Sequence, residues 1–441
     1  MRDPGFENDD ERSPEDEFRE MLDAFLSGRS EIDPAALASA AGLPADPAVL
    51  QQLFGRLRDA MQSEGDGIDW SLAAQQAAAI AGQKSVVSLP EERTAIDQAF
   101  GIADLWVDEA TDLPRGSAEI RLMSRQEWAA ATLPVWTQIA EPVANSIGDA
   151  LSGALAAAAS DRIDDVVPEA TRLMRKVAGA LFAMQLGQVV GQLSTEVVSG
   201  GDIGIPLLTD GQPAMLSQNV VAFGQGLDVP ADQVAIWLSV RELAHARLFR
   251  HARWLRLQFI TAVTDYARGI DIDTDALERV SSKLDPSDPA ALRDALASGA
   301  LIPPRSEAQQ AALSRLETSL ALVEGWVDVV TADASTRLPS SIALAETVRR
   351  RRASGGPAEQ ALAALVGLEL RPRRLREAAA MWRAVTEAVG VAGRDALWSH
   401  PDVVPTAEDI DDPTALIARH TGPAPEPDDL DREIESLLDG S

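Results

Sequence analysis

Apolar residues recur every three to four positions along most of this chain, the spacing that puts them on one face of an α-helix. Shorter helices are predicted near the start, over Phe18–Leu26 and Pro34–Met61. The remaining predicted helices are Ala73–Ala81, Thr94–Ala110, Arg125–Leu155, Ala170–Val198, 230–249, Trp254–Arg268, Glu307–Ala332, Ser340–Arg352, Ala358–Val366, Arg371–Val389 and Thr414–Arg419. The pattern therefore predicts a mainly helical protein.

The helical pattern stops at a glycine-rich segment, Ser199-Gly-Gly-Asp-Ile-Gly-Ile-Pro206. The residues that follow predict two short strands, Ile205–Leu208 and Ser217–Phe223. The next helix opens with Asp228 near its N-cap and Pro230 in its first turn. The predicted fold class is thus mainly α, with a small β-sheet near residues 205–223.

Composition divides the chain into three parts. Residues 1–65 are acidic and predict a partly disordered region with short helices, residues 66–422 predict one helical domain, and residues 423–441 form an acidic tail. The net charge of −30 argues against a nucleic-acid partner, because phosphate contacts need positive surface. There is no cysteine, no secretion-type start and no apolar run of the ~18 residues that a membrane helix needs. We therefore expect a soluble, cytoplasmic protein with no membrane partner.

One predicted helix carries a motif that departs from a metal-binding pattern by one residue. Zinc peptidases place H-E-x-x-H on a helix, where the two histidines bind the metal and the glutamate activates water. Here Arg241 stands in the first histidine position, with Glu242 and His245 in theirs. Arginine stays protonated at physiological pH and offers no lone pair to a metal. E-x-x-H alone is also common in helices, where the glutamate is ion-paired and the histidine belongs to the core.

A second segment, Glu324-Gly-Trp-Val-Asp328, places two carboxylates four residues apart on one face of an apolar helix. Like charges at this spacing repel, and buried carboxylates are costly unless a cation faces them. Gly325 costs about 1 kcal/mol relative to alanine inside a helix, which predicts that another element approaches the backbone closely. The other interpretation is a carboxylate pair at the solvent edge of the helix.

Together, the two segments predict an arginine–carboxylate cluster in place of a metal ion. The guanidinium of Arg241 can form a bidentate pair with Glu324 or Asp328. Zinc would then keep only His245 and Glu324, whereas catalytic zinc normally has three protein ligands. His251 lies six residues after His245 and is a weaker candidate ligand, because six residues of continuous helix turn a side chain about 120° away.

Several segments between about residues 66 and 420 together resemble the actinobacterial hydrolases called zinc-dependent metalloproteases, whose fold is zincin-like. The segments are Ile102–Trp106, Arg125–Trp128, Glu141–Ala144, Gly201–Pro206, Arg241–Phe249, Glu324–Asp328, Gly367–Arg374 and His400–Asp402. The resemblance implies that zinc is the cofactor, Glu242 the general base, and His245 and Glu324 metal ligands. It implies that Asp328 supports a metal-binding histidine. Arg241 is the position at which the chain departs from the family.

Two hypotheses of function remain open. In the first, metal-dependent peptide hydrolysis is ancestral and has been lost or impaired, and the fold serves to bind a peptide or protein ligand. In the alternative, the chain is an active metal-dependent peptidase that uses His245, Glu324 and an additional ligand such as His251 or His400. Glu242 would then take a proton from a metal-bound water.

Overall fold

The computed structural model describes residues 67–83, 85–116, 119–158, 167–209, 211–270, 305–353, 363 and 374–421. The helices predicted before residue 66, most of Ala358–Val366 and the acidic tail lie outside these ranges. The predicted domain boundaries at residues 65 and 422 also fall outside them and stay predictions.

The described residues are mostly helical, as the sequence predicts. The helices are α1 (Ser71–Gly82), α2 (Pro90–Ala110), α3 (Arg125–Ala158), α4 (Val167–Glu196), α5 (Ser217–Gly224), α6 (Ala231–His251), α7 (Trp254–Ala267), α8 (Glu307–Ala334), α9 (Ser341–Ala353), α10 (Leu375–Ala396), α11 (Ala407–Asp411) and α12 (Thr414–Thr421). The strands are β1 (Arg121–Met123) and β2 (Ala214–Leu216). None of the described helices is both long and apolar enough to cross a lipid bilayer.

The helix ends carry residues that stabilise them. The Ser306 side chain accepts a hydrogen bond from the backbone of Gln309, whose side chain accepts one from the backbone of Ser306, and this reciprocal cap starts α8. In α6, Asp232 lies in the first turn and Arg250 in the last, where each charge complements the helix dipole. These local signals make α6 and α8 predictable from sequence.

The small sheet differs from its prediction. β1 pairs in parallel with β2, Leu122 opposite Met215, and Ser199 forms an antiparallel bridge to Met215 on the other side of β2. The prediction of a strand over Ser217–Phe223 is wrong, because these residues belong to α5. The residues 205–208 contain no strand either. A short apolar run fits a strand and a buried helical turn equally well, and tertiary contacts decide between them.

The chain folds into two compact units. One consists of residues 1–72, 147–181 and 271–304, and few of these are described; there, Gly179 lies against Ile68. The other consists of residues 73–146, 182–270 and 305–441, and it contains both strands and the whole of α6 and α8. All the candidate site residues belong to this second unit.

A cluster of buried tryptophans lies in the core of the second unit. The rings of Trp382 and Trp398 stack with their centroids 5.4 Å apart, and Trp326 meets Trp398 edge-on at 6.4 Å. A Cβ on Gly325 would lie only 2.8 Å from the Cβ of Ala378, so α8 and α10 approach at van der Waals distance. This contact confirms the close approach predicted from the helical glycine.

Candidate functional site

Two packed helices bring the predicted site residues together. α6 carries Arg241, Glu242 and His245, and α8 carries Glu324. The exposed fractions of these residues are 5%, 2%, 1% and 3%, respectively. Four ionisable side chains are thus almost fully removed from water, so each needs partners within the protein.

The centre of the site is a chain of contacts from an arginine to a histidine. The guanidinium of Arg241 donates a hydrogen bond to Oε2 of Glu324. The other carboxylate oxygen, Oε1, lies 3.1 Å from Nε2 of His245. The contact of Arg241 with Glu324 or Asp328 expected from the sequence is therefore present, and Glu324 is the partner.

The histidine ring is held between two acceptors. Its Nδ1 lies 3.0 Å from the backbone carbonyl oxygen of Arg241, and its Nε2 faces the carboxylate of Glu324. A carbonyl oxygen can only accept, so the first contact requires a proton on Nδ1, whereas the second requires a proton on Nε2 or on the carboxyl group of Glu324. A metal-binding imidazole must offer a lone pair. His245 can offer one only by giving up one of these two hydrogen bonds.

Glu242 points to backbone donors instead of to the histidine. Its Oε1 accepts from the amide of Ala214 in β2, and its Oε2 accepts from the amide of Gly201, each at 2.8 Å. Burial raises the pKa of Glu242 to about 7, although hydrogen bonds from Ala214, Ser199 and Gly201 act in the opposite direction. The carboxylate joins α6 to β2 and to the glycine-rich segment.

The segment of residues 200–204, here called the glycine loop, lies directly on the site. A Cβ on Gly201 would lie 2.4 Å from the Cβ of His245, and one on Gly204 would lie 2.6 Å from Oε1 of Glu324. Gly204 also has a φ of 78°, a conformation that favours glycine. Only residues without a side chain fit at these two positions.

The glycine loop is held at both ends. On one side, the amide of Gly200 donates to the carbonyl of Ala214 at 2.9 Å, which continues the antiparallel pairing with β2. On the other, the Arg256 side chain donates to the carbonyls of Pro206 and Leu208 at 3.0 and 2.7 Å. The sequence pattern marks this segment only as a helix breaker, and its contact with the site was not predicted. The three glycines within five residues were the available signal.

Asp328 makes ion pairs elsewhere. Its Oδ2 accepts from Arg349 at 3.0 Å and lies 3.9 Å from a guanidinium nitrogen of Arg383. Its described ion-pair partners are therefore these two arginines, and neither Arg241 nor His245 is among them. Of the two carboxylates in the second segment, it is Glu324 that contacts the motif on α6.

The other histidines considered as ligands lie on the surface. His251 is the last residue of α6 and is exposed. It lies six residues, about 9 Å of helix rise, from His245. His400 is also exposed, and its Nδ1 lies 3.3 Å from a carboxylate oxygen of Asp402. The structure brings neither histidine to the buried cluster.

A catalytic zinc ion does not fit the donors in this arrangement. Of the candidate ligands, His245 and Glu324 lie together, and both are engaged by Arg241. The glycine loop is in van der Waals contact with both. Within the part of the chain that the structure describes, no group of three or more His, Asp or Glu side chains could hold a metal ion.

Comparisons with known proteins agree with the fold. The sequence model of the family described as zincin-like metallopeptidase matches residues 68–417. A solved structure from Chloroflexus aurantiacus, of a candidate hydrolase described as having a novel fold, aligns with a TM-score of 0.56 at 19% identity. The alignment covers 81% of this chain and 100% of that one. At this identity the likeness shows the fold alone. No curated protein matches the chain.

Proposed function

The chain belongs to the zincin-like metallopeptidase family, and we propose that it is a member in which a fixed arginine has taken over the charge of the metal. In this proposal the chain does not hold a catalytic zinc ion, and the fold serves to bind a peptide or protein ligand. The observation that carries the proposal is the buried hydrogen bond from Arg241 to Glu324.

Electrostatics favour this arrangement over a metal beside the arginine. A dication next to the guanidinium would meet a like charge in a site that is almost free of water, where charges interact strongly. Glu324 supplies one negative charge, and the arginine already faces it. Zinc binding would require the Arg241 side chain to leave and the glycine loop to move off His245 and Glu324.

The alternative, an active metal-dependent peptidase, draws its support from the family. It requires a third ligand besides His245 and Glu324. The two surface histidines considered for that role are exposed, so this alternative needs a rearrangement of the site as well as a metal. The proposal of a metal-free site requires no rearrangement and no metal.

Metal analysis of the purified protein tests the proposal. The native chain, Arg241→His and Arg250→His are incubated with zinc, desalted and measured by mass spectrometry. Arg250→His is the matched control, because it adds a histidine at an exposed position on the same helix. We expect well under about 0.1 zinc per chain in the native protein and the control, and a gain in Arg241→His, which restores the two-histidine spacing.

Two results would contradict the proposal. One is stoichiometric zinc in the native protein that disappears in His245→Ala, which would establish a metal site beside the arginine. The other is zinc-dependent cleavage of a quenched fluorescent peptide library by the native chain, lost in Glu242→Gln. Absence of zinc from Arg241→His would show that the guanidinium does not occupy the position of a metal.

A further inference from the structure

An apolar groove of about 600 Å³ opens on the second unit, between α2, α5 and the start of α6. Its floor contains Ile96 of α2, Val220 of α5 and Val234 of α6, all buried. Two large side chains on its wall are exposed: Ile102 on α2 at 40% and Val221 on α5 at 41%. The groove is therefore open to solvent while its floor belongs to the core.

Exposed apolar side chains concentrate on two helices that form this groove and on the residues just before α2. Of the eleven large hydrophobic side chains that the structure describes as exposed, six lie on α2, on α5 or on the residues just before α2. The six are Val86, Val87, Leu89, Ile102, Leu105 and Val221. Gln98 and Ile102 line the groove, and Leu105 extends the same row at i+7. Residues 85–89 lie beside α5, because the amide of Val86 donates to the Gln218 side chain at 3.1 Å. Exposed apolar side chains beside an apolar groove are typical of a binding site.

The charges of the groove are acidic. The ionisable side chains that line it are Glu92 of α2 and Asp232 of α6. The whole chain carries a net charge of −30. A ligand that fills the groove with apolar groups and presents positive charge at its edges would complement both features.

We propose that this groove binds an amphipathic helix of a partner protein, with an apolar stripe flanked by lysine or arginine. The part of α2 that lines the groove, from Glu92 to Ile102, extends about 15 Å at 1.5 Å per residue, which matches about three turns of a helix lying alongside it. Helices that lie in grooves insert side chains spaced at i, i+3, i+4 and i+7. The proposal is independent of the metal question, because it uses a different surface.

The charges disfavour the other occupants. A second copy of the chain docked through the same face would bring Glu92 and Asp232 of one copy against those of the other. The acidic 423–441 segment of the chain and an anionic membrane surface would both be repelled. A small apolar molecule would not use the negative charge at the edges, and an apolar dye distinguishes this occupant from a helix.

The test uses the full chain and three synthetic peptides of about 18 residues. The first has leucines at i, i+3, i+4 and i+7 with lysines between them, the second has glutamates in place of the lysines, and the third has the first composition in scrambled order. Binding is measured by fluorescence anisotropy with the native chain, Ile102→Asp, Val221→Asp and Leu257→Asp. Leu257 is the matched control, because it is an exposed leucine of α7 outside the groove.

We expect the cationic amphipathic peptide to bind, and each groove variant to weaken it at least about tenfold. Leu257→Asp should leave binding unchanged, and raising the salt from about 50 to 300 mM should weaken it. The two groove variants lie on different helices, so a loss of binding in both indicates an effect on the groove. Circular dichroism checks that each variant is folded. Equal binding of the scrambled or acidic peptide, no binding of any peptide, or equal loss in the control would overturn the proposal. So would an apolar dye that binds in an Ile102-dependent manner when no peptide does.

Discussion

Replacing Arg241 with methionine should destabilise the protein strongly, because it leaves the carboxylate of Glu324 buried without its cation. Methionine is similar in length and removes only the charge and its hydrogen bonds. With charge centres about 4 Å apart and an effective dielectric constant near 20, the lost attraction is about 4 kcal/mol. Removal of one partner from a buried pair typically costs about 3–5 kcal/mol. We expect a loss of that size in the free energy of unfolding, measured by urea titration with tryptophan fluorescence.

A double variant and an exposed pair serve as controls. Arg241→Met combined with Glu324→Gln should be less destabilised than the single variant, because the amide carries no charge and can still hydrogen-bond with His245. The surface pair of Arg337 and Glu109 has the same chemistry but is more than half exposed, so Arg337→Met should cost less than about 1 kcal/mol. Equal losses for the two arginine variants, or a double variant less stable than Arg241→Met, would refute the reasoning.

Three further predictions concern buried groups. Gly201→Ala should lower the free energy of unfolding by about 1–3 kcal/mol, because its Cβ would lie 2.4 Å from the Cβ of His245. Its control, Gly101→Ala, lies at an open helical position and should raise that free energy by up to about 1 kcal/mol in the same urea titration. Relative to Glu242→Gln, the native protein should lose about 3 kcal/mol of unfolding free energy as the pH rises from 4.5 to about 7, and no more above it. The folded state holds this proton more tightly than the unfolded chain, so a pH-independent difference would contradict a buried carboxyl. Asp395→Asn should lower the free energy of unfolding by about 3–5 kcal/mol, because it removes the negative charge beside the fully buried guanidinium of Arg394. The measurement is the fall in Tm.

Much of the site was predictable because it depends on helix geometry. The periodic apolar pattern predicts α6 over 230–249, and the structure has Ala231–His251. Within that helix, the spacing of Arg241, Glu242 and His245 follows from the rotation per residue. A contact of Arg241 with Glu324 or Asp328 followed from a charge argument, since a buried carboxylate needs a cation, and the structure shows Glu324 as the partner.

The features that could not be predicted depend on contacts between distant segments. The strand β2 pairs with residues 121–123 and with Ser199. The apolar pattern of β2 does not indicate either partner, because both lie elsewhere in the sequence. In α5, the buried side chain of Asn219 donates to the carbonyls of Ser194 and Val197 at 2.8 and 2.6 Å, so this helix is tied to the end of α4 and the residue after it. Local propensity favoured a strand there, and the tertiary contacts favour a helix.

Glu242 has a structural role in this chain that does not depend on hydrolysis. A general base must reach the proton that it abstracts, yet both oxygens of this carboxylate accept hydrogen bonds from backbone amides, those of Ala214 and Gly201. Loss of the carboxylate would leave two buried amides unsatisfied, at about 1–3 kcal/mol each. The glutamate thus has a structural reason to stand beside Arg241: it fixes the glycine loop, which lies on His245 and Glu324. A glutamate at this motif position is therefore accounted for by the backbone contacts that it makes in the fold.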